Sequence, residues 1–232
     1  YAFKKADDFD LITNSHRQDK PLFIKDVVTH FDFFYQSCPN HFFKGKKVSF
    51  VFLVRDPADI LFSFYESTNN PEAFCERFEN ATILSKAAGL ENLSELIEKL
   101  QDDSEIPPKI IFSHQLYQSS QRLISAFCNH YKIPFNPQNL SWQKGQNDFL
   151  DICTEKASKD DDLSFINNYF AVVQNNDHFH TPRQYPKDEH GKPDFSQIED
   201  LKARVVMEDS FKKLLPYYHR LLKAKSYHLI EN

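Results

Sequence analysis

An α/β fold, an open parallel sheet in three layers with helices on both faces, is what this sequence predicts. Three observations carry the expectation. Short apolar runs at Lys20–Lys25, Val48–Val54 and Lys109–Ser113 have the β-branched and aromatic content of buried strands. Helical periodicity follows each of them, so strands and helices alternate along the chain. Such alternation calls for right-handed crossovers between parallel strands, and hence for a doubly wound sheet.

Lys20-Pro-Leu-Phe-Ile-Lys25 reads as a first buried strand, and Val27 to Tyr35 as the helix after it, broken at Cys38-Pro39-Asn40. Val48 to Val54 is nearly all apolar, as expected for a strand covered on both faces. Asp56 then Pro57 is an N-cap with proline at the first helical position, which predicts a helix to about Ser67. Asn70-Pro71 opens a second helical region, and Leu93, Leu96, Ile97 and Leu100 give the stretch from Leu90 to Leu100 an amphipathic spacing. After a polar loop from Asp102 to Pro108 come the third strand, Lys109–Ser113, and a helix over Tyr117–Tyr131 with Leu123, Ile124 and Phe127 inward.

The second half is less regular. Pro134 to Gln146, with the single tryptophan Trp142, reads as an ordered loop, and Asp160, Asp161 and Asp162 as a solvated helix start. Asp177 to Ser196, rich in His, Pro and Asp, is expected to be either a mobile flap or a solvated connection. Ile198 to Lys225 predicts a closing helix or pair of helices, interrupted near Pro216.

Composition narrows the class. A chain of 232 residues, 41% hydrophobic and 15% aromatic, has ample material for the core of one large domain, residues 1–232. A formal net charge of -5 argues against a broad nucleic-acid footprint, which needs a clustered basic surface. Cys38, Cys75, Cys128 and Cys153 are widely spaced without a CxxC pair, so a reduced, cytoplasmic setting is expected, with no zinc site. No run approaches the ~18 apolar residues of a membrane span. A homodimer stays open. The first residue is Tyr1 and the single methionine is Met207, so these residues are expected to be a piece of something longer.

Ligands of open parallel sheets bind beyond the carboxyl ends of the strands, which places Lys25, Asp26, Arg55 and His114 on one functional edge. Arg55 is expected where the amides of the following helix point outward, so that two sources of positive potential converge on an anion. Ser63, two turns further along, would add a hydroxyl donor. The plainer alternative is an arginine paired with a local carboxylate and a serine in solvent.

The stretch Phe52-Leu-Val-Arg55-Asp-Pro-Ala-Asp-Ile-Leu-Phe-Ser63-Phe-Tyr65 resembles the element with which sulfotransferases hold the 3'-phosphate of 3'-phosphoadenosine 5'-phosphosulfate, with arginine and serine eight residues apart. Lys20 to Asp26 with His30, and Leu116 to Trp142 ending Ile-Pro-Phe-Asn-Pro-Gln-Asn-Leu-Ser-Trp, resemble segments of a bacterial-type branch of that family. Together they span about residues 20–145, in the family's order. The resemblance implies a P-loop-like fold in which Arg55 and Ser63 contact the 3'-phosphate and Lys25, Asp26 and His30 face the transfer site. There Lys25 would stabilise the sulfuryl oxygens, with His30 or Asp26 as base toward a small hydroxyl or amine acceptor. In His178-Phe-His180-Thr181-Pro-Arg183 it implies a late nucleotide contact from Arg183.

The family's first strand leads into a P-loop-like turn, and Tyr1 to Asp19 lacks the small residues and lysine for one. Either that loop precedes Tyr1 in the whole protein, or the chain is a relative that has lost catalysis and binds a nucleotide or a protein partner. A kinase or hydrolase of the wider P-loop class would in addition need a magnesium-holding hydroxyl and carboxylate, for which the sequence offers no clear pair.

Overall fold

The computed structural model describes residues 49–68, 70–103, 107–141, 185–190, 192–225 and 228–230. Within them the chain is a mixed α/β protein, mostly helical, with two parallel strands, β1 (Val51–Val54) and β2 (Lys109–Phe112). The expected strand at Lys20–Lys25, the helix at Val27–Tyr35, Trp142 and the charged Cys153–Asp162 stretch lie outside the described residues. The chain divides into two compact units, residues 1–112 with 184–231 and residues 113–183 with 232.

In the first unit, Val51 pairs with Lys109 and Val54 with Phe112, so both strands end at one edge of the sheet. The Lys109 amide donates to the Phe50 carbonyl at 2.8 Å, while the next residue, Ile110, accepts from the Leu229 amide at 3.1 Å. Successive residues of a strand point their backbone groups to opposite sides. β2 is therefore flanked on both edges, by β1 and by the segment at His228, which explains why Ile110, Ile111 and Phe112 are buried. β1 is less enclosed than its composition implies: Leu53 is 56% exposed, whereas Val54 is buried. Continuous hydrophobicity had suggested cover on both faces; the 51/53 face lacks it at Leu53.

Four helices run between the strands. α1 (Pro57–Ser67) starts as expected, with Asp56 accepting from the Ala58 amide and Pro57 in the first turn. Its buried face is Pro57, Ala58, Leu61 and Phe62. α2 (Pro71–Arg77) repeats the device with Asn70 and Pro71. α3 (Ala81–Ala88) is capped by Asn80, whose side chain receives the Thr82 and Ile83 amides, and ends at Gly89 with φ of 71°. A residue with a Cβ would resist that left-handed turn. The Gly89 carbonyl then accepts the Leu93 amide, so one residue ends α3 and starts α4 (Leu90–Asp103). Leu93, Leu96, Ile97 and Leu100 are all buried, the stripe their spacing predicts.

The second unit contributes α5 (Ser113–Gln118), which begins directly where β2 ends, and α6 (Ser120–His130). Leu123 is buried, and Ile124 and Phe127 are half-buried. Lys132, with φ of 55°, closes α6. The Ile133 amide reaches back to the Cys128 carbonyl at 2.8 Å and Lys132 to Asn129 at 3.3 Å, a Schellman closure with lysine where glycine is usual.

The last helix, α7 (Leu201–Lys223), belongs to the first unit and packs against α1, α2, α3 and α4. Asp200 caps it, accepting from the Ala203 amide at 2.8 Å. Ala203, Val206, Met207, Ser210, Leu214, Tyr218 and Leu221 form its buried stripe. The expected interruption near Pro216 does not occur. Pro216 is exposed, opposite that stripe, so the amide it lacks costs a hydrogen bond on the solvent side. Meanwhile Leu214 and Tyr218 keep both halves of the helix in the core. Among the described residues no helix is long and apolar enough to cross a membrane.

Two stability outcomes follow. Phe74, fully buried against Tyr65 and Phe78, should cost about 3–5 kcal/mol on Phe74→Ala, read from denaturant midpoints. Lys132→Gly should stabilise the chain by about 1 kcal/mol by relieving the left-handed lysine, provided the same midpoints move upward.

Candidate functional site

The site begins where β1 becomes α1. A strand that ends in Val54 and a helix that starts at Pro57 leave only Arg55 and Asp56 to turn the chain, so both side chains are held close to the helix start. Asp56 turns toward the helix: its Oδ1 accepts from the Ala58 amide at 2.8 Å, and its backbone carbonyl accepts the Ile60 amide at 3.1 Å. Arg55, half-buried, donates from Nη2 to the Asp59 carbonyl at 3.3 Å.

In a regular helix the Asp59 carbonyl also takes the amide four residues on, that of Ser63. The Arg55 guanidinium therefore sits one turn below Ser63, against the same carbonyl. Ser63 is exposed.

One part of the sequence expectation changes. An anion was expected to meet the open amides of the helix end as well as the arginine. The Asp56 carboxylate takes the Ala58 amide and brings its own negative charge to that end.

A second layer was not legible in the sequence. Tyr185 stacks on Phe62, ring centroids 5.8 Å apart and planes 3° from parallel, and Phe62 stacks in turn on Phe195 at 5.2 Å. Lys187 Nζ lies 5.2 Å from the centre of the Tyr185 ring. Burial, then the charges of Asp56 and Asp59, push the Tyr185 phenol up to about 12. Tyr218, on the buried stripe of α7, is held above the ordinary phenol range by burial first and Asp56 second.

The stretch expected as a flap or solvated connection is therefore docked from Tyr185 onward, with Phe195 and Ile198 in the core. Its tip is a short antiparallel turn, Lys187 bridging to Pro193, in which Asp188 Oδ1 receives the His190 and Lys192 amides. The signal available in the sequence was the aromatic pair Tyr185 and Phe195, outweighed by the polar residues between them.

Lys25, Asp26, His30, His178, His180 and Arg183 lie outside the described residues. His114 follows β2 by two residues, at the start of α5 in the second unit. Cys75 and Cys128 are buried free thiols. Burial, followed by the charge of Asp200, raises the Cys75 thiol, whose Sγ donates to Asp200 Oδ1 at 3.8 Å, so it serves packing and not chemistry. A groove of about 600 Å³ on α7, lined by Lys212, Leu215, Pro216, His219, Arg220 and Lys223, includes none of the expected site residues.

No family model, no curated protein and no solved structure matches the chain.

The Tyr185 phenol has a measurable consequence. Its folded value lies above the ordinary 10.0, so its contribution to stability is complete below pH 10 and is lost as pH rises through about 12. Urea midpoints taken across that window should fall more steeply for the wild-type chain than for Tyr185→Phe. Parallel curves would contradict the assignment.

Proposed function

We propose that this chain is a sulfotransferase-like protein that binds 3'-phosphoadenosine 5'-phosphosulfate and passes its sulfuryl group to a small hydroxyl or amine acceptor. The observation that carries the proposal is the junction of β1 and α1, where the strand-end Arg55 donates to the Asp59 carbonyl, one helical turn before the exposed Ser63. A guanidinium and a hydroxyl on one face suit a phosphate dianion, the first by charge and paired donors and the second by one further donor. The order of the three similar stretches along the chain supports the same reading.

On this proposal the two parallel strands belong to a larger three-layer sheet of the P-loop class. Arg55 and Ser63 hold the 3'-phosphate, and Arg183 adds a contact to the nucleotide. Lys25, Asp26 and His30 lie at the transfer end, Lys25 beside the sulfuryl oxygens and His30 or Asp26 as base. The bound nucleotide would supply the activated sulfuryl group. Because Asp56 takes an amide of the first turn of α1, the phosphate is held by side chains and not by the helix end.

A second reading has an observation of its own. Asp56 and Asp59 place two acidic residues within four positions of Arg55 in the chain, which weakens any site for a highly charged donor and suits a nucleotide- or protein-binding module without catalysis. Titration of the chain with 3'-phosphoadenosine 5'-phosphate separates the cases. Binding is expected, with Arg55→Ala weakening it about tenfold or more and Ser63→Ala by about threefold to fivefold, the range for charged and neutral hydrogen bonds. A wild-type chain that gives no heat would defeat the sulfotransferase reading and the nucleotide-binding module alike, leaving only a module for a protein partner. Binding without transfer of labelled sulfuryl to any of a panel of hydroxyl and amine acceptors would favour the module.

A further inference from the structure

The outer face of α7 carries positive charge that the packing of the helix does not require. Lys212, Leu215, Pro216, His219, Arg220 and Lys223 line its groove of about 600 Å³, and their spacing sets them on the face opposite the buried stripe of Leu214, Tyr218 and Leu221. Among the described residues of the groove four are basic and none is acidic, in a chain of net charge -5. Two of the four are paired at the rim: Lys212 Nζ lies 3.0 Å from Asp209 Oδ1, and Arg220 Nη1 3.3 Å from Glu98 Oε1. His219 and Lys223, one turn apart, have no ion pair among the described residues. Cations in a last turn complement the helix dipole, which accounts for Arg220 and Lys223 but not for Lys212 and His219.

Pro216 adds a second feature. It has no amide, so the carbonyl of Lys212, four residues earlier, loses its helical donor, and both of these residues line the groove. Cations, an apolar floor at Leu215 and Pro216, and a backbone acceptor thus share one recess. We infer that this face of α7 binds an acidic peptide segment of a partner protein in extended form. Its carboxylates meet the basic rim, an aliphatic side chain covers Leu215 and Pro216, and one peptide amide donates to the Lys212 carbonyl. From Lys212 to Lys223 the helix rises about 16 Å, the reach of about five extended residues. Alternate side chains of such a peptide, about 7 Å apart, fall in turn on Lys212, on the apolar floor and on the His219–Arg220 pair. Nucleic-acid phosphodiesters have no N–H for the carbonyl, a flat bilayer does not enter a recess, and the net negative charge of the chain opposes both.

Fluorescence anisotropy on the full chain tests this, with the labelled peptide Glu-Ser-Leu-Ser-Glu-Ser-Glu, capped at both ends, as the probe. The wild-type chain should bind it, more weakly as salt rises, and should bind the peptide with glutamine in place of glutamate at least about tenfold less tightly, the scale of charged hydrogen bonds. The double variant Lys212→Glu, Lys223→Glu changes only exposed side chains and should lose about tenfold or more while its urea midpoint stays in place. Pro216→Ala returns the helical donor to the Lys212 carbonyl. It should raise the urea midpoint and yet weaken the peptide about threefold, a pair of opposite signs that a damaged fold does not produce. No binding by the wild type, or equal binding by the charge-reversed variant, would overturn the site. Pro216→Ala binding as tightly as the wild type would overturn the extended mode. Phosphatidylserine vesicles or a single-stranded oligonucleotide that bind the wild type more tightly than the peptide, and lose that binding on charge reversal, would overturn the choice of partner.

Discussion

The Asp56 cap is the interaction from which the rest of the arrangement follows. A strand and an amphipathic helix joined by two residues must exchange one hydrogen-bonding pattern for another at once, and the first turn of the helix has amides with no partner inside it. Asp56 supplies one partner with its side chain and Pro57 has no amide to satisfy. With the entry angle set, Pro57, Ala58, Leu61 and Phe62 face inward and Arg55 is left against the first turn. The charge of the same carboxylate also helps to raise the Tyr185 phenol. One side chain thereby joins the strand to the helix at the sheet edge.

Around that junction the core is unusually aromatic. Phe62, Tyr185, Phe195 and Phe211 form a chain of ring contacts, and Phe64, Phe74, Phe78 and Tyr65 a second. Large rings bury much apolar area per residue at low conformational cost, which suits a protein with four glycines and 23 phenylalanines. α7 closes this core along its length, and polar contacts at its rim set its register. Tyr217 bonds Glu91, and Arg220 reaches Ser94 and Glu98 of α4. Near its end the Leu221 carbonyl is 2.9 Å from His228 Nε2; a carbonyl only accepts, so that nitrogen carries the proton. His228 also meets Phe112 edge-on at 5.0 Å, linking the end of α7 to β2.

Local rules read well wherever a helix start or stripe was decided by neighbours in sequence. Asp56-Pro57 and Asn70-Pro71 became capped helix starts, and Leu93, Leu96, Ile97 and Leu100 a buried face, because capping and periodicity act within one or two turns. Two local rules failed for the same reason. Pro216 was read as a break although its exposed position lets the helix continue, and the polar run ending at Ser196 was read as a mobile flap or a solvated connection although Phe195 is buried in the core and Tyr185 packs against it. Exposure is a property of the assembled fold, and neither residue carries it in its own neighbourhood.

By itself the sequence determined the elements at the junction: a strand ending at Val54, a cap at Asp56, and an arginine and serine spaced for one helix face. Tertiary structure alone decided what those groups meet. It engaged Asp56 in the helix cap and brought Tyr185 across the chain onto the Phe62 ring, where the Asp56 charge helps raise the phenol. The physical reason is range. Backbone hydrogen bonding and periodicity are settled within a few residues, whereas the charge balance around Arg55 depends on groups that only packing brings together.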